Sequence, residues 1–327
     1  MIYPKISIVT PSFNQAEYIE ETICSVLSQN YPNLEYFIVD GASTDQSVQI
    51  IKQFENSLSY WVSEADHGQS HAINKGITRT NGQIINWLNS DDYYEPNTLK
   101  IVSNQLISPL TGLGGRSRLF NSKGTLSYSR GTDVFLDNPA KTIGWARIDQ
   151  PETFFTKEAW DKVGLLNDQL HYCMDREWWM RFVYEFGLDS FKKINEVLVN
   201  FRIHDNSKTQ TSQPGFLKEH HSIYYAMAKV ISNHKAMGFM EKHLPLDRQL
   251  DTLISCWKDS QLVQHSFNYY LLKSAHENYA QGNFVLAKGF LKLVRKEWLA
   301  PEDLKIHTKL TFRMKLPHSI IEAFRKF

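Results

Sequence analysis

Cysteine is scarce in this 327-residue chain: Cys24, Cys173 and Cys256 are odd in number and scattered. They form neither a disulfide framework nor a metal cluster, which favours a reducing cytoplasm. A dominant charge is also missing. Thirty-six Lys and Arg stand against 35 Asp and Glu, a formal net charge of +1. No global field therefore argues for nucleic acid as a partner. No uncharged apolar run approaches the ~20 residues that a bilayer span requires. The strand-like KISIVT (5–10) follows Met1 closely, with no basic segment leading into a long apolar stretch as in a signal peptide. The expectation is a soluble or peripheral protein with one large domain and a smaller one.

What is present is alternation. Residues 5–10 read as a strand broken by Pro11. Asn14 with Glu17 forms a capping-box pattern, and Ile19, Ile23, Val26 and Leu27 then recur at helical spacing. Residues 36–39 are a second strand ending at Asp40. Ser43 with Gln46 opens a helix burying Val48, Ile51 and Phe54. Residues 58–62 are a third strand, and Ser70 caps a short helix carrying Ile73 and Ile77. Residues 83–88 are a fourth, with Pro96 as first residue of the next helix. This order predicts a mainly parallel central sheet flanked by helices, with right-handed crossovers.

The pattern changes after residue 105. Residues 113–120 and 125–129 flank NSKG as a hairpin. Residues 153–155 form a strand, followed by a helix from Lys157 to Gly164. Residues 175–186 form a helix ended by Gly187, and 197–203 a last strand. From about Asn206 long amphipathic helices dominate, so a boundary falls there. Residues 275–294 resemble part of a helical-hairpin repeat, though one partial match is weak because repeats need neighbours.

Four polar clusters end predicted strands: 11–14 (PSFN), 40–43 (DGAS), 66–69 (DHGQ) and 90–92 (SDD). In a parallel sheet all four gather along one edge, where ligands bind. Phe13 would flank a base, Asp40 would accept from base N–H or ribose hydroxyls, and Gly41 and Gly68 would admit a ligand to the backbone. Each cluster alone is an ordinary turn; four in register favour a nucleotide pocket. Asp91 and Asp92 repel each other unless a cation sits between them and something else negative. That pattern suggests a divalent metal holding a phosphorylated ligand, against the alternative of a solvated turn.

The order of these motifs resembles a known family. ISIVTPSFNQAEYIEETICSVLSQNYPNLEYFIVDGASTD, DHGQSHAINKGI and GQIINWLNSDDYY look like the donor half of the inverting family-two glycosyltransferases. The likeness continues through QPETFFTKEAWDKVG, MDREWWMR and FRIHDNS, over about residues 3–210. It implies a GT-A fold, Rossmann-like α/β, over residues 1–205, with a donor half (1–105) and an acceptor half (106–205), then a helical region over 206–327. It implies Mn²⁺ or Mg²⁺ as cofactor and a nucleotide-sugar donor, UDP-linked. Thr10, Pro11, Ser12, Phe13, Asp40, Asp66, Gly68, Asn74, Ser90 and Asp91 would bind the donor, with Asp91 on the ribose or metal. Asp92 and His204 would bind the metal. Asp175 would be the catalytic base.

Two positions depart from the family pattern. Asn89 replaces the acid that often begins the metal motif, and Met174 replaces the Glu before the catalytic Asp. Glu177 is thus a rival base, but lies about 200° around a helix from Asp175, so only one faces a given site. Trp145, Gln150 and Glu152 would line a sugar subsite or belong to the core. His67 and His71 read as solvated, and the His220–His221 pair as a weak zinc candidate. Residues 301–327 carry six Lys or Arg against three acids, with an apolar side including Leu310, Phe312, Ile320, Ile321 and Phe324. Such a helix would lie on an anionic membrane or pack on its own domain or a dimer partner.

The expectation is a metal-dependent inverting hexosyltransferase building a cell-surface polysaccharide or lipid-linked oligosaccharide. It would work in the cytoplasm or on the inner face of the membrane, with a glycan or lipid-linked acceptor and no nucleic acid. Self-association stays open. The alternatives are a non-catalytic sugar-binding protein and a sugar nucleotidylyltransferase. The latter's glycine-rich loop should follow the first strand, whereas GLGGRSRL (112–119) comes later and reads as a loop entering the hairpin.

Overall fold

The computed structural model describes residues 3–205, 207–252, 257–258 and 260–316. Cys256 lies outside the described residues, as does the apolar run with Ile320, Ile321 and Phe324. Two compact units comprise residues 1–134 with 147–213, and residues 135–146 with 214–327.

The first unit is built on one sheet. Its strands are β1 (Ile6–Ser12), β2 (Leu34–Asp40), β3 (Tyr60–Ser63), β4 (Ile84–Trp87), β5 (Tyr93–Tyr94), β6 (Gly112–Asn121), β7 (Gly124–Tyr128), β8 (Thr153–Thr156) and β9 (Phe191–Arg202). The order is β3-β2-β1-β4-β8-β6-β9-β5, with β7 paired to β6 as the expected hairpin. It is an α/β sheet flanked by helices, parallel through β3-β2-β1-β4. Beyond β4 it is mixed: β8 runs antiparallel to β4 and β6, and β9 runs parallel to β6. Gly112–Leu119 is strand rather than loop. Its glycines make room for Phe191, which an added Cβ at Gly112 or Gly114 would meet at 2.7 or 2.8 Å.

Helical periodicity places the flanking layer. Ile19, Ile23 and Val26 of α1 (Ile19–Leu27) pack with Ile6, Ile8, Ile38 and Ile84 of the sheet. The expected caps differ. Asn14, at φ 52°, accepts from Thr44 N at 2.9 Å and ties the β1 loop to the β2 loop, leaving Tyr18 at the N-cap. Ser43 donates to Asp40, and α2 (Ser47–Gln53) starts after Gln46. In α3 (Gln69–Ile77) the cap is Gly68, while Ser70 donates to Leu170 O. In α4 (Thr98–Gln105) the cap is left-handed Asn97, with Pro96 just before it.

The second unit is helical. Its first helix, α5 (Pro139–Trp145), comes from the stretch read as acceptor half; it packs with α11 (Gln261–Ala280) because Gly144 has no Cβ, which would meet Ser266 O at 2.1 Å. Two helices of the first unit intervene in the chain, α6 (Lys157–Val163) and α7 (Met174–Phe186), and α8 (Lys208–Thr211) follows β9. Then come α9 (Gln213–Val230), α10 (His234–His243), α12 (Phe284–Leu293) and α13 (Pro301–Arg313). α13 is fastened by buried Leu310 and by Asp303, which pairs with Lys141 at 2.6 Å. Among the described residues no helix is long and apolar enough to cross a membrane.

Candidate active site

Register gathers the residues expected to bind the donor. Ser12, Asp40 and Ser63 are successive partners across β1, β2 and β3, so these strands stop in one row at the ligand-binding edge. Asp40 is fully buried there. Its carboxylate accepts the Ser43 N–H at 2.8 Å, the Ser43 hydroxyl at 2.5 Å and the Ser63 hydroxyl at 2.7 Å. The Ser12 hydroxyl beside it is buried without a protein partner, whereas Phe13 is 60% exposed. Thr10 faces inward, its hydroxyl 3.0 Å from that of Tyr36.

Two glycines bring Asp66 to the same edge. An added Cβ at Gly41 would meet Asp66 Oδ2 at 2.8 Å, and Asp66 Oδ1 accepts the Gly68 N–H at 2.8 Å. Gly68 sits at φ +111°, where a side chain is strained, and opens α3. Asn74, on the same helix, has both ends of its amide on one residue: Nδ2 donates to Leu166 O at 2.8 Å, and Oδ1 accepts Leu166 N–H at 2.9 Å. Those bonds hold the Leu166 loop.

After β4 the two adjacent acids face opposite ways. Asp92 is 1% exposed; its Oδ1 accepts the Arg202 N–H at 2.9 Å and its Oδ2 accepts Asn89 Nδ2 at 3.3 Å. Burial first, and Asp91 second, push its pKa well above the usual carboxylate range. Asp91 faces outward, with Oδ2 3.1 Å from Nε2 of His204. The other ring nitrogen of His204 is buried without a partner, and Tyr18 packs on the ring at 4.7 Å. The carbonyls of Ser90 and Asp92 both accept from the Thr22 hydroxyl, at 2.9 and 2.7 Å. Among the described residues no three His, Cys, Asp or Glu gather into a metal cage. A carboxylate and an imidazole together are a two-ligand set, which suits a cation completed by phosphate oxygens and water.

Asp175 lies in the first turn of α7, half-buried, with Oδ1 accepting the Arg176 N–H at 2.7 Å. Burial, opposed by that bond and the Arg176 charge, raises its pKa to about 6. The rival Glu177 is 2% exposed and engaged by both arms of Arg181, at 2.7 and 2.9 Å. Arg181 also donates to the Val163 carbonyl and, at 2.8 Å, to that of Leu165. The pair is structural.

Of the other candidates, Gln150 and Glu152 belong to the core. Gln150 donates to Trp87 O at 2.9 Å and to Asn86 at 3.2 Å. Glu152 is fully buried and accepts from Ser117 and Ser129. Burial, then the neighbouring charge of Asp149, raises its pKa to about 8. Trp145 lies in the second unit beside His276. His221 is held at 2.9 Å from the Tyr270 hydroxyl, and burial lowers its pKa to about 4. His67 donates its N–H to His71, a local contact.

Residues 7–160 match the model of Glycosyl transferase family 2. Over that stretch the chain is similar to that family. An uncharacterized glycosyltransferase of Rickettsia typhi is 25% identical over 244 residues, covering 71% of this chain and 74% of the relative. The putative teichuronic acid biosynthesis glycosyltransferase TuaG of Bacillus subtilis is 37% identical over 100 residues, 30% of this chain and 40% of TuaG. The crystal structure of S. aureus TarS 1–349 in complex with UDP-GlcNAc aligns with a TM-score of 0.62 at 17% identity, covering 98% of this chain and 92% of that one. This last likeness shows the fold.

Within this glycosyltransferase, Arg202 escaped the sequence reading. It donates its N–H to Asp92, gives Nε to Asp91 O at 3.0 Å, and pairs with Glu21. Its place two residues before His204 was the available signal. Asn89 likewise has its own part. It accepts from Gln69 at 2.8 Å and donates to Asp92, which a carboxylate there would not do.

Proposed function

We propose that this glycosyltransferase moves a hexose from a UDP-sugar to a hydroxyl of a growing glycan or lipid-linked acceptor, with inversion. The UDP-GlcNAc bound by TarS supports a UDP-linked donor, and the name of TuaG supports cell-surface polysaccharide synthesis as the setting. The observation that carries the reading is Asp175, raised to about 6 at a helix start while its rival Glu177 is locked to Arg181. A carboxylate of that pKa is ionised at neutral pH and more basic than an ordinary one, as a general base should be.

The nucleoside would lie along the row of Ser12, Asp40 and Asp66, with the open ring of Phe13 against the base and the unpartnered Ser12 hydroxyl available to it. Asp91 and His204, rather than Asp92, would hold Mn²⁺ or Mg²⁺. When bound, the metal would offset charge on the diphosphate. Asp92 supports that corner from inside by fixing the Arg202 backbone. Asp175 takes the proton of the acceptor hydroxyl as that oxygen bonds to the anomeric carbon, and the sugar–phosphate bond breaks with its electrons leaving on UDP.

The test is Asp175→Asn, followed by transfer and by calorimetry of UDP with Mn²⁺. Transfer should fall by about 10²–10⁴ while UDP affinity stays within about twofold. In the wild type, transfer should rise with pH through about 6, as Asp175 loses its proton, and the variant should lack that limb. Normal turnover by Asp175→Asn would remove the assignment.

A further inference from the structure

We propose that Asn74 is a positioning residue for Asp175, acting through the 166–173 segment that leads into α7. The inference rests on Asp175 being the base. Asn74 and Ser70 sit one turn apart on α3, so they share a face. Asn74 holds both the N–H and the carbonyl of Leu166, and Ser70 donates to the Leu170 carbonyl at 2.7 Å. Leu166 and Leu170 are themselves buried. From the other side α7 grips the turn just before: Trp178 Nε1 donates to Gly164 O at 2.7 Å, and Arg181 holds the carbonyls of Val163 and Leu165. The chain thus runs taut from α3 through Leu166 and Leu170 to Cys173, the buried N-cap of α7, and Asp175 follows two residues on.

The helix that makes this grip starts at Gly68, whose N–H is held by Asp66 on the nucleoside edge. α3 therefore carries the donor edge at its start and the brace for the base on its flank. A base misplaced by about 1 Å can cost ~10²-fold in rate, so the brace bears on chemistry and not only on stability. The charged groups acting on Asp175 are Arg176 on its own helix and Asp149 ahead of β8. Neither belongs to α3, so a neutral change at Asn74 reaches Asp175 by moving it, and the carboxylate that Asn74→Asp adds would by its charge alone push the Asp175 midpoint up, opposite to the fall that displacement produces.

The test compares wild type, Asn74→Asp, Ser70→Ala and Asp175→Asn. Asn74→Asp keeps the acceptor for Leu166 N–H but sets a carboxylate oxygen against the Leu166 carbonyl. Carbon-13 NMR of the Asp175 carboxyl should show its midpoint falling from about 6 toward the ordinary range near ~4 as burial is lost. Metal-dependent hydrolysis of UDP-GlcNAc should lose about 10–100-fold in kcat, with the Kd for UDP within about twofold. Ser70→Ala, with one bond lost, should move both readouts the same way but less. A lower melting temperature with the Asp175 midpoint still at about 6 would overturn the inference and leave Asn74 merely structural. If Asp175→Asn itself retains turnover, the base reading fails; if that variant is dead while Asn74→Asp titrates and turns over like wild type, only this inference fails.

Discussion

The two halves of the central sheet treat carboxylates in opposite ways. In the parallel half, hydrogen bonds favour the ionised forms of Glu35 and Asp45. Burial acts against Glu35, yet the Ser7 hydroxyl, the Asn81 N–H and Lys5 bring its pKa below the usual range. Asp45 is likewise lowered, against burial, by Ser47 and the Ala16 N–H. In the mixed half, burial wins. Asp149, Glu152 and Asp175 are all raised, with desolvation the largest cause in each. Donor binding calls for fixed acceptors, whereas taking a proton calls for a carboxylate made basic by its surroundings. Asp92, at the seam after β4, follows the second rule although it lies at the end of a parallel strand.

That seam gives the largest expected effect on binding. Asp91→Ala should weaken UDP binding in the presence of Mn²⁺ by about 10–100-fold, ~1.4–2.8 kcal/mol, with little change in stability. Asp92→Asn should do the reverse, leaving the metal-dependent part of binding intact. Calorimetry with and without Mn²⁺ reads both, and a stronger metal effect from Asp92 would erase the distinction between outward and inward acids.

Glu152→Gln tests the mixed half. Its folded pKa of about 8 exceeds the ordinary carboxylate value, so the folded state holds the extra proton. Wild-type stability attributable to this group is complete at low pH and is lost as pH rises toward 8. Glutamine, which never ionises, should remove that loss, making the variant roughly 1–2 kcal/mol more stable than wild type at pH ~8 and nearly equal at pH ~4. Urea melts at the two pH values measure it.

An effect of similar size belongs to the parallel half. Ser7→Ala removes the 2.7 Å bond to Glu35 and should cost about 1–2 kcal/mol near neutral pH. Glu35 is lowered on folding, so its contribution is present above the unfolded pKa and vanishes as pH falls through the folded one. The cost of Ser7→Ala should therefore shrink in acid. A cost that persists there would mean the serine matters through packing or through the Gly82 N–H it also accepts.

The site was legible where the information is local. Apolar periodicity marked β1, β2, β4, α1 and α7, and the polar breaks after the strands marked the edge that Asp40 and Asp66 share. Glu177 and Arg181 even stand at helical i,i+4 spacing, a signal for their pairing that was there to read. The two capping boxes misled because Asn14 found a better partner in a neighbouring loop, Thr44, and Ser43 found one in Asp40 at the end of its own strand. The two-residue β5 is too short to show a period and exists only because β9 pairs with it.

What the amino-acid order determined by itself was the succession of strands and helices and the kinds of side chain delivered to their ends, since both follow from periodicity within a few residues. Which of two neighbouring acids faces out was decided by Arg202, 110 residues beyond Asp92. What holds the Asn74 amide was decided by Leu166, 92 residues away. Only folding brings such partners within hydrogen-bond reach, and a carboxyl's orientation and proton affinity depend on what it meets there.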